Sequence, residues 1–106
     1  MLEQDRLLGE IVDRLAAVFR PTRIYLFGSG ARGDRAGESD YDLLLLVESP
    51  AEPLYRLAQR AYPVLRGIRA SVEVLFWDRQ TFDSRLHLPA SFPATVVREG
   101  RLLYGA

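Results

Sequence analysis

The chain contains no cysteine. That excludes disulfide scaffolds, thiolate nucleophiles and cysteine-based zinc sites within it. It contains no lysine either, since all 14 basic residues are arginine. A Walker-type phosphate-loop lysine and Schiff-base chemistry are therefore absent. The single histidine, His87, leaves little room for an imidazole-ligated metal. An excess of either charge is also missing: 14 basic residues face 14 acidic ones, for a formal net charge of +0. A general phosphate-backbone binder carries a basic excess, so bulk nucleic acid and anionic membrane surfaces are disfavoured as partners. The longest apolar runs are five residues, far short of a membrane span or a signal-peptide core. The expected location is the cytoplasm. Any bound metal must draw mainly on carboxylates, which select hard ions such as Mg²⁺ or Mn²⁺.

What is present fits a globular chain. Its 106 residues are 48% hydrophobic and 26% charged, enough for one core and one domain spanning residues 1–106. Residues 2–19 read as an amphipathic helix, with Leu7, Leu8, Ile11, Leu15 and Val18 at helical spacing, Glu10, Asp13 and Arg14 between them, and Pro21 as the stop. Arg23–Phe27 reads as a strand that runs straight into the Gly28-Ser29-Gly30 turn. Residues 31–37 suggest a short helical turn and loop. Tyr41–Val47 is nearly all apolar, as in a central strand covered on both faces. Leu54–Leu65 returns to helical spacing, with Pro63 able to kink or shorten it and Gly67 able to stop it. Ala70–Trp77 alternates and is rich in β-formers. Pro93–Arg98 suggests a last helix and Leu102–Tyr104 a short tail, while Asp78–His87 has no clear pattern. The order α-β-α-β-α-β-α implies an α/β (α+β) fold, a small mixed β-sheet with flanking helices.

The chemistry concentrates between residues 28 and 42. Residues two apart in a strand point the same way, so Asp40 and Asp42 emerge together at the start of a leucine strand. Adjacent anions at the edge of a core repel each other, and a divalent cation is the simplest compensation. Glu73 is a third carboxylate, set between Val72 and Val74 on the next predicted strand. If the two strands are neighbours, it reaches the same site. Gly28 lets backbone approach a ligand closely. Backbone amides with the Ser29 hydroxyl suit phosphate oxygens. Arg32 adds a cation one turn on, and Ser39 adjoins the acid pair. Such parts suit transfer of a phosphoryl-type group.

Gly28-Ser29, ten intervening residues and Asp40-Tyr41-Asp42 resemble the signature of the DNA polymerase β-like nucleotidyltransferase superfamily. The Gly-Ser-x-Ala-Arg-Gly form followed by Ser-Asp-x-Asp, in so short a chain, resembles its minimal nucleotidyltransferase (MNT) group, which includes the MntA-like antitoxins of HEPN/MNT toxin–antitoxin pairs. The resemblance extends over most of the chain. It implies a polymerase β-like palm fold. Gly28 and Ser29, with Arg32 and Ser39, would hold the nucleotide. Asp40, Asp42 and Glu73 would bind catalytic Mg²⁺ or Mn²⁺, and Glu73 would assist deprotonation of the acceptor. The family commonly has Asp at this third position. The implied reaction moves AMP from ATP to a hydroxyl, a tyrosine of a HEPN-domain toxin, and the chain's brevity suggests that a partner or an oligomer supplies the acceptor site.

Each residue also has a plainer reading. Asp40 and Asp42 could cap a strand start, Glu73 could pair with an arginine, and Arg32 could be structural. Asp78 reads better as a turn residue than as a rival third acid. His87 reads as structural or solvated. Phe76, Trp77 and Phe92 read as core rather than as a base-stacking platform, and Tyr104 as packing or tail. Two other functions compete: an antitoxin that occludes its partner without catalysis, and nucleotidyl transfer to a small molecule such as an aminoglycoside.

Overall fold

A computed structural model describes residues 3–28 and 40–105. Helix α1 (Glu3–Phe19) is followed by strands β1 (Arg23–Phe27) and β2 (Tyr41–Val47). Helix α2 (Leu54–Val64) then leads to β3 (Val72–Asp78). The chain continues through α3 (Arg79–Ser84), α4 (Phe92–Glu99) and β4 (Arg101–Gly105). The four strands form one mixed sheet in the order β3-β2-β1-β4. Strand β1 is antiparallel to both β2 and β4, while β2 and β3 run parallel with α2 as their crossover.

The leucine run explains the sheet's middle. Leu43, Leu44, Leu45 and Leu46 are all fully buried, and each such burial stabilises the fold by roughly 1.5–3 kcal/mol. Alternation sends Tyr41, Leu43, Leu45 and Val47 to one face, where α1 and α2 cover them through Ile11, Leu15, Leu57 and Ala61. Leu44 and Leu46 go to the other face, under Tyr25, Phe82 and Val96. The first face is the larger core. The second is thinner, covered by short α3 and α4, and it is the face that carries the acids.

Helix α1 keeps the predicted core stripe at Leu8, Ile11 and Leu15, but Val18 is exposed. Its place is taken by Phe19, which packs edge-on against Phe76 with centroids 4.9 Å apart. Arg20, at φ 48°, then turns the chain out of the helix before Pro21. Arg14 ties α1 to the end of α2 by donating to the carbonyls of Val64 (3.2 Å) and Arg66 (2.8 Å). Those carbonyls lack helical donors, so the arginine caps α2.

Three expectations change. Strand β3 begins at Val72 rather than Ala70, because Ser71 bonds back onto Asp40 at the strand's entrance. The patternless stretch after Trp77 contains α3, whose N-cap is Asp78: its carboxylate accepts from the Thr81 amide at 3.3 Å. The supposed C-terminal tail is a full strand, β4. Its residues are mostly exposed, so the sheet hydrogen bonds to β1, rather than burial, define it.

Candidate active site

The site grows from the end of the sheet where β1 finishes and β2 and β3 begin. Phe27 at the end of β1 is the register partner of Asp42, and Asp42 is the register partner of Glu73 on β3. The condition that the two strands be neighbours is met, and the two acids are level. Alternation places Asp42 in line with Leu44 and Leu46, and Glu73 in line with Leu75 and Trp77. Both carboxylates therefore belong to the α3/α4 face. Asp42 is half-buried and Glu73 exposed. Among the described residues Glu73 makes no ion pair, so the structural salt bridge considered for it is not found there.

Gly28 follows with φ 74°. A Cβ at this position would lie 2.5 Å from Asp42 Oδ2. Both the left-handed backbone and the close approach demand glycine. The consequence is chemical: Gly28 lies directly against the Asp42 carboxylate.

Asp40 is fixed by a different device. Its amide donates to the Ser71 carbonyl at 2.9 Å, and the Tyr41 amide donates to the same oxygen at 3.2 Å. In return the Ser71 amide donates to Asp40 Oδ2 at 3.0 Å. This clasp joins the entrance of β2 to the entrance of β3 and sets the direction of the half-buried Asp40 carboxylate. No sequence signal could have found it, because the groups contributed by Ser71 are backbone. Ser29, Arg32 and Ser39 lie outside the described residues.

Carboxylates at 40, 42 and 73 are a hard-oxygen donor set, chemically matched to Mg²⁺ or Mn²⁺. Among the described residues, no group of three or more His, Asp or Glu side chains is gathered tightly enough to hold a metal unaided. Mg²⁺ does not require one, since it is usually held by one or two carboxylates together with substrate phosphates and water.

The opposite end of the same face is built from ion pairs. Arg23 forks onto Asp83 at 3.0 and 3.3 Å. Arg79 donates to Asp83 at 3.0 Å and forks onto Glu48 with two 2.7 Å bonds. Hydrogen bonding from Arg23, then from Arg79, holds the Asp83 carboxyl below its ordinary range against the opposing effect of burial. The Arg79 hydrogen bond likewise lowers Glu48. A cavity of about 260 Å³ opens near this end, lined by Leu54, Trp77, Asp78, Thr81 and Arg85. It sits at the exit of β3, away from the acids. His87 is exposed, and Phe76 is core on the α1/α2 face. Trp77 and Phe92 are only half-buried.

Known proteins resemble this chain in sequence and fold. The "putative protein adenylyltransferase" of Methanocaldococcus jannaschii is 28% identical over 105 residues, covering 97% of this chain and all of that one. A crystal structure of a "putative nucleotidyltransferase" from Sulfolobus solfataricus aligns with a TM-score of 0.63 at 24% identity, over 94% of this chain and 78% of that one. A toxin–antitoxin structure with AMP-PNP aligns with a TM-score of 0.56 at 24% identity, over 92% of this chain and 73% of that one. At such identities the structures speak for the fold, and the mixed sheet with flanking helices is theirs. The profile of the nucleotidyltransferase domain matches residues 6–90, which is most of the chain, and the protein therefore belongs to that family and is a nucleotidyltransferase.

Proposed function

We propose that this enzyme transfers AMP from ATP to a hydroxyl of a partner protein, a tyrosine of a HEPN-domain toxin, and acts as the antitoxin of that pair in the cytoplasm. The observation that carries the reading is the seating of Gly28 against Asp42, with Glu73 level on the adjacent parallel strand. A nucleotide phosphate held by the glycine turn would then lie beside two carboxylates. The relative from Methanocaldococcus jannaschii, by its name, acts on protein, and one structural neighbour is a toxin–antitoxin assembly with a nucleotide analogue. Both support the choice of substrate and partner.

In this reading Gly28 and Ser29, with Arg32 and Ser39, bind and orient the triphosphate. Asp40 and Asp42 would hold Mg²⁺ or Mn²⁺, which when bound neutralises phosphate charge and polarises the α-phosphorus. The acceptor oxygen bonds to the α-phosphorus as the bond to the β-phosphate oxygen breaks. Glu73 takes the hydroxyl proton, and pyrophosphate leaves. The residues 1–106 act as a single catalytic domain, and the acceptor comes from the partner. Incubation with ATP, Mg²⁺ and a HEPN-domain protein from the same genome tests the reading. Intact-mass spectra should show AMP added to the partner by the wild type and not by Asp42→Asn. Neutralisation of the partner without any adduct would instead mean occlusion, and the proposal would fail.

A further inference from the structure

The acid row is bordered by aromatic rings on its own face of the sheet. Phe27, the register partner of Asp42, belongs to the α3/α4 face together with Tyr25 and Trp77. The Phe92 ring meets Phe27 edge-on, with centroids 5.5 Å apart, and lies tilted against Trp77 at 5.5 Å. Phe92 therefore touches the residue that is level with Asp42. It is also held stiffly. It opens α4 directly after the N-cap Ser91, whose hydroxyl accepts from the Ala94 amide at 3.2 Å and donates to the Arg85 carbonyl at 2.8 Å. The next residue, Pro93, is buried. Phe27 and Phe92 are only half-buried, although the sheet beneath them is closed. A braced, partly open ring against Phe27, itself level with Asp42, suits a ligand with a charged reacting end and a flat end.

From this placement we infer that Phe92, braced by Phe27 and Trp77, is the wall on which the planar ring of a substrate stacks while its phosphate or hydroxyl lies at Asp42 and Glu73. The inference rests on the proposed transfer reaction for the identity of the two substrates that bring a ring: the nucleobase of ATP and the phenol of a tyrosine acceptor. Phe92 is a positioning and specificity residue here and takes no part in bond-making. Stacking on an aromatic side chain is worth enough that its removal weakens binding about tenfold.

The test reads binding by the full-length protein, without turnover. Trp77 is the only tryptophan and touches Phe92, so its emission follows titrations of Mg²⁺–AMP-PNP, of Mg²⁺–tripolyphosphate, and of N-acetyltyrosinamide added to the AMP-PNP complex. Three variants are compared: Phe92→Ala, Phe92→Leu, which keeps apolar bulk without a ring, and Phe92→Tyr, which keeps the ring. The expected result is about a tenfold loss for a ring-bearing probe in Phe92→Leu, recovery to within about twofold in Phe92→Tyr, and unchanged tripolyphosphate binding. Loss confined to AMP-PNP identifies the base as the stacked ring. Loss confined to the tyrosine analogue identifies the acceptor. If neither ring-bearing probe weakens in Phe92→Leu, if tripolyphosphate weakens equally, or if Phe92→Tyr fails to recover, the inference is overturned. Absence of AMP transfer to protein would sink the proposed function and leave these binding results standing.

Discussion

The two ends of one sheet face treat acids in opposite ways. Where β1 exits, Asp42 and Glu73 stand level across β2 and β3, like charge beside like charge. Where β1 enters, Asp83 and Glu48 are each gripped by arginine, through Arg23 and Arg79. The paired acids join β1, the end of β2 and α3, so their charge serves the fold. Two level carboxylates repel each other, an arrangement that a bound cation would relieve. Under the proposed function, the first pair serves the reaction and the second the fold.

The contrast predicts where substitutions act. Asp42→Asn should reduce AMP transfer at least roughly a hundredfold, as loss of a preorganised electrostatic group does, while its melting temperature stays equal to or above that of the wild type. A lower melting temperature would place Asp42 with the structural acids. Gly28→Ala should lower both activity and stability, the latter by roughly 1–3 kcal/mol, because a side chain there meets strained backbone and the Asp42 carboxylate; wild-type behaviour in denaturant melts and transfer assays would refute the close approach. Asp83→Asn should do the reverse of Asp42→Asn, losing about 1 kcal/mol of stability with activity per folded molecule retained.

The Asp83 pair also has a pH signature. Its carboxyl lies below the reference value of 3.8 in the folded protein. Its contribution is complete above the unfolded value and disappears as pH falls through the lower folded one. Melting temperature should therefore drop more steeply from about pH 4 to about pH 2 in the wild type than in Asp83→Asn; parallel curves would deny the pair its role. The smallest expected effect belongs to the clasp on Asp40. Ser71→Pro removes the amide that holds Oδ2 and should raise the Mg²⁺ concentration needed for half-maximal transfer several-fold, while Ser71→Ala leaves it unchanged. Equal metal requirements in the two variants would show that the clasp does not orient the ligand.

The bounds of β1 and β2 could be read from sequence because their signals are local: RIYLF ends at a glycine turn, and YDLLLLV is buried on both faces. The possible closeness of Glu73 to the aspartates was legible only as a condition, since strand order is a long-range property that the topology supplies. Strand β4 was not legible. Leu103 alone among its side chains is half-buried, so no alternation marks it. Helix α3 buries only Phe82 in six residues, too few for a period. Reading Trp77 and Phe92 as core was right about their packing and silent on their exposure, which depends on how far α4 covers the sheet.

Strand β4 also bears on how the chain reaches this state. The outer edge of β1 is closed only when Arg101–Gly105 pairs with Arg23–Leu26, contacts about 80 residues apart in sequence. Until then Ile24 and Leu26 border an open line of amides and carbonyls, a template for pairing between chains. During synthesis the sheet's first strand must wait for its last, and a chain cut before Arg101 would be expected to fail by aggregation before it failed in catalysis.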